Sequence, residues 1–267
     1  MVCPPDALPL PGTGRRKKKN QVMQPGDSLG PDGRFKLEEL IAEGGMGTIY
    51  RAHDNLLNQK VAVKFLRRDV QQEIRPWERL KREADILAAL RHPGITAVYS
   101  YSLHGDCPYL VEEYLVGGDL DTYVRENRRL EADLGRHVLF SLAEILAYIH
   151  RHDLLHRDIK PANVFQEEDG RIRLMDFGLA RPLDKTRLTQ SGGIVGSVAY
   201  MPPEVLRGEE HVAASDVYQV GLTLHHVLTL RHLHGPRSSV DEFFRRVLAP
   251  NWQPEPIGPG LPSDLRD

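Results

Sequence analysis

Two short motifs in the second half of the chain contain side chains that can act on a phosphate group. The first reads HRDIKPAN over residues 156–163, and the second, DFG, begins at Asp176. The carboxylate of Asp158 can accept the proton of an attacking hydroxyl, while Lys160 can neutralise charge that develops on a moving phosphoryl group. Asn163 and Asp176 add the hard oxygen ligands that Mg²⁺ prefers. The two motifs therefore predict half of a phosphoryl-transfer site.

A glycine-containing segment upstream can hold the nucleotide that such a site requires. It reads IAEGGMGTIY over residues 41–50, and the alternating segment VAVKF follows at residues 61–65. The alternation predicts a strand that presents Lys64 at a fixed point. Glycines let backbone N–H groups approach phosphate oxygens, and a lysine on a neighbouring strand can reach the α- and β-phosphates. Alone, the glycine segment would be interpreted as a flexible turn, but its combination with the two later motifs favours nucleotide binding.

Taken together, these motifs resemble those of eukaryotic-type (Hanks-type) serine/threonine protein kinases. They occur in the order of the family between Ile41 and Asp216, and the Gly-Gly-Met-Gly loop is closest to bacterial members. A lysine at position 160 resembles the motif of the serine/threonine branch of the family rather than that of the tyrosine branch. The resemblance implies an α+β, two-lobed protein-kinase-like fold, with a small, mostly β N-lobe and a mostly helical C-lobe. It also implies a transferase that moves the γ-phosphoryl group of Mg-ATP to Ser/Thr hydroxyls of proteins.

The positions that match the family's motifs receive their roles from this resemblance. ATP and Mg²⁺ are the implied cofactors, and the backbone of residues 113–115 is expected to bind the adenine edge. The implied catalytic residues are Asp158, Lys160, Lys64 and Glu83, and the implied metal ligands are Asn163 and Asp176. The residues expected to hold the nucleotide are Ile41, Ala42, Glu43, Gly44, Gly45, Met46, Gly47, Thr48, Ile49, Ala62, Lys64, Glu113 and Leu115.

The role of Glu83 stays open at this point. Apolar residues at helical spacing, followed by Pro93, predict a helix over Trp77–Arg91. In the family, a glutamate on this helix pairs with the strand lysine, here Lys64. A solvent-facing glutamate on a charged helix is the alternative, and only the family position favours the pair.

Three features depart from the family's pattern. Ala42 replaces the first glycine of the loop, and Glu112 stands where an apolar residue usually lines the back of the adenine pocket. A buried carboxylate must find a partner or become protonated, because an unpaired buried charge is costly. The sequence ends at Asp267, so we expect the last C-lobe helices to be missing, apolar surface to be exposed and Glu204 to lack its usual partner.

The chain is expected to divide into a leader and one kinase domain. Residues 1–33 form a Pro/Gly-rich leader that we expect to be disordered, and its basic run, residues 15–19, is interpreted as a solvated tail. The kinase domain covers residues 34–267, with an N-lobe over 34–114 and an incomplete C-lobe over 115–267.

Two apolar stripes predict buried helices in the C-lobe, and both are interpreted as core rather than as ligand surface. Their residues are Val138, Leu142, Ile145, Leu146 and Ile149, and then Val217, Val220, Leu224, Val227 and Leu228. Asp216 matches the family aspartate that supports the catalytic loop, although a helix-start acid is an alternative reading. Four nearby histidines are interpreted as structural rather than as metal ligands: His225, His226, His232 and His234.

A polar segment after Asp176 resembles the activation segment of the family. It holds Thr186, Thr189 and Ser191, whose phosphorylation could create a contact with Arg157. Ser197 matches the family residue that contacts Asp158 and Lys160. The expected partners are ATP, a protein substrate with a Ser/Thr hydroxyl and, for autophosphorylation, a second copy of the chain.

Composition excludes several other classes. The 267 residues carry a formal net charge of −2 and two cysteines, so neither nucleic acid binding nor a disulfide framework is indicated. No apolar run is long enough for a membrane span, and we expect a cytoplasmic protein. A nucleotide-binding pseudokinase or truncated kinase copy that acts as an interaction module remains the alternative to an enzyme.

Overall fold

The computed structural model describes residues 23–44, 47–66, 76–105, 107–126, 128–177, 198–233, 240–249 and 262, with the backbone alone at 44, 76–80, 82–83 and 240–241. Our expectations for Gly45, Met46, the side chain of Glu83, His234 and the segment 178–197, which contains Thr186, Thr189, Ser191 and Ser197, lie outside the described residues.

The N-lobe is built on a six-stranded antiparallel sheet with the strand order β1-β2-β3-β4-β6-β5. A 3₁₀ turn, Pro31–Gly33, precedes β2, and helix α1, Pro76–Ala89, lies between β4 and β5 in the chain, close to the predicted bounds. The strands are β1 (Ser28–Leu29), β2 (Phe35–Gly44), β3 (Gly47–Asp54), β4 (Gln59–Leu66), β5 (Val98–His104) and β6 (Cys107–Glu113).

Alternation along β4 determines which side chains face the cleft between the lobes. Val61, Val63 and Phe65 are buried in the N-lobe core, together with Tyr109 and Val111 of β6. Successive side chains of a strand point to opposite faces, so Ala62 and Lys64 face the other way. Leu110, which pairs with Lys64 across the ladder, belongs to the core cluster that includes α1 and the C-lobe helices. The strand predicted from the sequence therefore presents Lys64 to the cleft.

The expected disorder of the leader is wrong for its last residues. Ser28 pairs with Lys36 and Leu29 with Phe35, which adds β1 to the edge of the sheet. Leu29 is buried in the N-lobe core, and the Tyr50 hydroxyl donates to the Met23 carbonyl at 2.6 Å. Ordered structure therefore begins before residue 34. Burial of the apolar Leu29 side chain stabilises β1, and the Pro/Gly-rich composition of the leader does not reveal this contact.

The described part of the C-lobe contains a main helical core, two smaller buried clusters and a three-stranded antiparallel sheet in the order β7-β8-β9. Its elements are β7 (Gly117–Asp119), α2 (Leu120–Arg125), α3 (Ala132–His150), a 3₁₀ turn (Pro161–Asn163), β8 (Val164–Glu167), β9 (Ile172–Leu174), α4 (Pro203–Arg207), α5 (Ala213–Thr229) and α6 (Val240–Val247). The predicted two-lobed α+β architecture is confirmed. Within the described residues, no helix has the length and apolar character that crossing a bilayer requires.

The two apolar stripes predicted in the C-lobe are not buried to the same extent. All five residues predicted on α3 are buried in one cluster, together with four of the five predicted on α5. Val217 is the exception, at 59% exposed. The inward face of α5 instead carries polar residues, because Asp216, Gln219 and Thr223 are buried at helical spacing. Two members of this stripe, Asp216 and Gln219, accept hydrogen bonds from the backbone of the catalytic loop.

Backbone hydrogen bonds join the segment after α1 to the strand that leads to Asp176. The Leu174 N–H donates to the Gly94 carbonyl at 2.7 Å, and the Thr96 N–H donates to the Leu174 carbonyl at 3.3 Å. A Cβ on Gly94 would lie 2.6 Å from the Ile145 side chain of α3, so glycine permits this close approach. The N-lobe is thereby attached to the C-lobe beside the DFG motif.

Candidate active site

Lys64 and Asp176, from opposite lobes, form an ion pair at the back of the cleft. The Lys64 Nζ donates to Asp176 Oδ1, and little of either side chain is exposed. Burial lowers the pKa of Lys64, but the carboxylates of Asp176, Glu112 and Asp158 raise it more, so its net pKa lies above the ordinary value. Burial raises the pKa of Asp176, but the charges of Lys64 and Lys160 lower it more. Both groups are therefore charged at neutral pH.

Asp158 lies at the centre of a compact group in the catalytic loop. Lys160 Nζ donates to Asp158 Oδ2 at 2.9 Å. The amide nitrogen of Asn163 donates to the Asp158 carbonyl at 2.7 Å and to Asp158 Oδ2 at 3.1 Å. The 3₁₀ turn Pro161–Asn163 returns the chain towards Asp158, which makes this contact possible. The structure therefore brings together the three predicted residues of this motif.

Asp216, at the start of α5, holds the loop from below. Its buried carboxylate accepts hydrogen bonds from the backbone N–H groups of His156 and Arg157, each at 2.9 Å. His150 and His211 also contact it through Nε2, each at 2.9 Å. Burial raises the pKa of Asp216, but these hydrogen bonds lower it more, to about 2. The carboxylate is thus ionised and fixes Arg157 in a left-handed conformation with φ 68°.

The side chain of His156 joins the catalytic loop to the DFG motif. Its Nδ1 accepts from the Asp158 N–H at 3.3 Å, so the proton sits on Nε2, which donates to the Met175 carbonyl at 2.9 Å. Burial lowers its pKa, which keeps the ring neutral as this arrangement requires. The Phe177 ring packs against it with centroids 4.7 Å apart. Asp176 follows Met175 directly and has φ 55°.

The predicted nucleotide loop is the hairpin of β2 and β3. Ala42 pairs with Ile49, Glu43 with Thr48, and Gly44 with Gly47. Gly47 has φ 145°, and a Cβ there would lie 1.9 Å from the Phe65 carbonyl oxygen, so only glycine fits. Residues 41–43 are exposed, while residues 47–49 are half-buried. Ile49 pairs with Lys64 and Arg51 with Ala62, so the hairpin continues the sheet that carries the lysine.

The hinge contains an ion pair that the sequence reasoning missed. The Glu113 N–H donates to the Ala97 carbonyl at 2.9 Å, so any adenine contact must use other backbone groups of residues 113–115, which include Leu115. The Glu113 carboxylate pairs with the buried Arg173 of β9, whose Nη1 donates to the Pro93 carbonyl at 2.6 Å. No local sequence signal links these residues, which are far apart in the chain.

Glu112 faces the same cleft as Lys64. It pairs with Ala62 across the β4–β6 ladder, which places it diagonally from Lys64 on the same face. Burial raises its pKa, Lys64 lowers it and Asp176 raises it, for a net value of about 7. The sequence predicts that a carboxylate at this position needs a partner or a proton. Glu112 has a nearby partner in Lys64, and its raised pKa means that it also binds its proton more tightly than usual.

The remaining predicted residues lie away from this cleft or outside the described residues. Glu83 belongs to α1, but its side chain is not among those described. Three of the histidines make internal contacts: Tyr200 with His226 Nδ1, the Arg231 carbonyl with His225 Nδ1 at 3.0 Å, and the His226 and His232 rings at 3.9 Å. Glu204 accepts a hydrogen bond from the Ser215 hydroxyl. Within the described residues, no group of three or more His, Cys, Asp or Glu side chains that could hold a metal ion is found.

Comparisons with known proteins agree with this geometry. The family model described as "Protein kinase domain" matches residues 35–250. A probable serine/threonine-protein kinase of Streptomyces coelicolor is 38% identical over 239 residues, 87% of this chain and 36% of that protein. PrkC of Bacillus subtilis is 32% identical over 235 residues, 88% of this chain and 36% of that protein. PknA of Mycobacterium tuberculosis is 32% identical over 250 residues, 92% and 57% respectively. The chain thus spans between about a third and somewhat more than half of these relatives.

Proposed function

This chain belongs to the protein kinase family, among the bacterial-like serine/threonine kinases, and we propose that it transfers the γ-phosphoryl group of ATP to serine and threonine hydroxyls of proteins. The observation that carries the proposal is the convergence of four charged side chains in one cleft. Lys64 contacts Asp176, and Lys160 contacts Asp158 at 2.9 Å. In addition, the carboxylate of Asp158 raises the pKa of Lys64, and the ammonium of Lys160 lowers the pKa of Asp176. Such a set can hold phosphates and orient a hydroxyl.

The oxygen donors in the cleft fit a divalent cation. Asn163 uses its amide nitrogen to bond Asp158, so its Oδ1 is the atom that can bind a cation. Asp176 uses Oδ1 for Lys64, and its second carboxylate oxygen can bind the same ion. Amide and carboxylate oxygens are hard ligands that suit Mg²⁺. When bound, Mg²⁺ would neutralise charge on the phosphate oxygens of ATP.

The residues of this chain then have separate tasks. Lys64 holds the α- and β-phosphates, since its position on β4 is fixed by both neighbouring strands. Asp158 orients the substrate hydroxyl and accepts its proton as the new bond to phosphorus forms. Lys160, 2.9 Å from Asp158, stabilises negative charge on the transferred group. The hinge backbone at residues 113–115 and the hairpin of β2 and β3 enclose the nucleotide.

Regulation by phosphorylation in the segment with Thr186, Thr189 and Ser191 is part of the proposal. Arg157 precedes Asp158 and has its backbone fixed by Asp216, so an ion pair between its guanidinium and a phosphate could be transmitted to the catalytic loop. Autophosphorylation between two copies is the simplest source. Mapping of phosphates on active protein should find at least one between residues 176 and 204, and active protein without any would refute this mode of regulation.

The test of function is transfer of label from γ-labelled ATP to a generic basic protein substrate. We expect label on serine and threonine, none on tyrosine, and no transfer when Mg²⁺ is withheld. Nucleotide binding without transfer by correctly folded protein would favour the pseudokinase alternative instead.

A further inference from the structure

The side chain of Gln219 connects two functional segments that are distant in sequence. Gln219 lies on the inward face of α5 and is 3% exposed. Its Oε1 accepts from the Ile159 N–H at 3.1 Å, and its Nε2 donates to the Tyr200 carbonyl at 3.2 Å. Ile159 follows Asp158 directly, whereas Tyr200 lies between the segment 178–197 and α4. One buried amide thus holds both segments.

The chemistry of the two partners fixes the orientation of this amide. A backbone N–H can only donate and a backbone carbonyl can only accept, so the oxygen of Gln219 must face Ile159 and the nitrogen must face Tyr200. A carboxylate of the same length could accept from Ile159 but could not donate to Tyr200 while ionised. An apolar side chain of similar volume could do neither. An apolar side chain of similar volume therefore removes both contacts together.

Gln219 completes the hydrogen bonding of the loop around Asp158. The N–H groups of His156 and Arg157 donate to Asp216, and that of Asp158 donates to the His156 ring. Gln219 accepts the next one, from Ile159, and stands one helical turn after Asp216 on the same face of α5. The backbone is thus held by α5 on both sides of Asp158. Asp216 fixes the side before it, and Gln219 fixes the side after it.

The other partner, Tyr200, belongs to a buried segment that is attached to the same helix. Val198, Ala199 and Tyr200 are each almost fully buried, and the Tyr200 hydroxyl contacts His226, two helical turns after Gln219. The Tyr200 carbonyl is separated from the Ile159 N–H by a single side-chain amide. The segment Val198–Tyr200 is thus linked through one side chain to the residue that follows Asp158.

We propose that Gln219 is a positioning residue that couples the catalytic loop to the segment Val198–Tyr200, so that Asp158 and the bound protein substrate are placed together. This inference rests on the proposed kinase function for its kinetic consequences, but the coupling itself does not need activity to be measured. The family resemblance alone assigned a role to Asp216 and none to Gln219.

The decisive variant is Gln219→Met, which keeps the volume and removes both hydrogen bonds. The matched control is Thr223→Val, one turn later on the same face of α5. Within the described residues the buried hydroxyl of Thr223 has no hydrogen-bond partner, so its removal should change neither exchange nor kinetics. In hydrogen exchange, we expect Gln219→Met to accelerate amide exchange in residues 156–163 and in residues 198–206 together, relative to the control. Acceleration in neither segment, or in only one of them, would overturn the coupling.

The kinetic readout separates positioning from simple loss of stability. Because small misplacement of reacting groups is costly, Gln219→Met should lower kcat by roughly tenfold to a hundredfold and raise the KM for protein substrate, with the KM for ATP unchanged. Equal kinetic constants in Gln219→Met and Thr223→Val would overturn the inference. A parent protein without any phosphotransfer would refute the proposed function, and the exchange experiment would then decide on the coupling by itself.

Discussion

Replacement of Asp216 by asparagine should cost several kcal/mol of stability at neutral pH. The cost should become smaller at acidic pH values where the carboxylate of the parent is protonated. The carboxyl pKa is about 2 in the folded protein against an ordinary value of 3.8, a difference of 3.8 − 2 = 1.8 units. At 1.36 kcal/mol per unit this corresponds to about 2 kcal/mol at neutral pH. Asparagine also turns an amide nitrogen towards donors that the carboxylate satisfied, at about 1–3 kcal/mol for an unmet buried group. We therefore expect a loss of about 3–5 kcal/mol at pH 7, consistent with disrupting a buried, hydrogen-bonded carboxylate.

The pH dependence of this difference follows from the sign of the shift. A lowered folded pKa gives stability that is fully present above pH 3.8 and is lost as pH falls towards 2. The ionic part of the difference between parent and Asp216→Asn should fall to about half by pH 3. Denaturant unfolding followed by circular dichroism at several pH values measures it. The control is Asp133→Asn, whose pair with Arg136 is highly exposed on the carboxylate side and should change stability little. A loss below about 1 kcal/mol at pH 7 would refute the reasoning, because the cost expected for disrupting a buried, hydrogen-bonded carboxylate would be missing.

Three other predictions concern the nucleotide cleft. Glu112→Gln should be more stable than the parent above pH 7 and equally stable below pH 4.5. The pKa of Glu112 in the folded protein is raised to about 7, so ionisation of this carboxyl destabilises the fold as pH rises. Thermal scans across this pH range without Mg²⁺ measure the difference. Gly47→Ala should lower both the melting temperature and ATP affinity, because the new Cβ would overlap the Phe65 carbonyl oxygen. The control is Gly170→Ala, which also has a positive φ but no close contact and should affect stability less. Equal losses of stability in the two variants would contradict the contact argument. Asp176→Ala should abolish the Mg²⁺-dependent part of the ATP-induced rise in melting temperature, and an unchanged rise would remove Asp176 from the metal site.

The elements that carry local patterns could be predicted from the sequence. Alternation predicted the strand β4 that presents Lys64 at a fixed point, and the apolar stripe of α3 is buried as expected. In both cases the side chains that pack together are set by the period of one element, which the sequence displays directly. The motif around Asp158 could also be predicted, since Lys160 and Asn163 are close in the chain and one short turn brings them together.

Several contacts between distant segments could not be predicted. Arg173 reaches both Glu113 and the Pro93 carbonyl, and nothing in the spacing of these residues indicates the contact. The histidines at Asp216 and the bridge made by Gln219 depend on how α5 meets the catalytic loop, which is a property of the packed fold. The apolar pattern predicts Val217 in the core, but helix geometry turns the polar Asp216 and Gln219 inwards instead. Burial of polar residues by specific partners overrides the apolar pattern at these positions.

The central claim, that Asp158 acts directly on the substrate hydroxyl in a phosphoryl-transfer site, is tested most directly by Asp158→Asn. The substitution keeps the size of the side chain and removes the carboxylate that Lys160 contacts at 2.9 Å. The measurement is phosphoryl transfer to a protein substrate, with Mg²⁺-ATP affinity determined on the same preparation. The account predicts that transfer falls by at least a hundredfold while ATP affinity is retained, because the carboxylate acts on the hydroxyl and not on the nucleotide. Transfer close to that of the parent, by folded variant protein, would contradict the assignment of the active site.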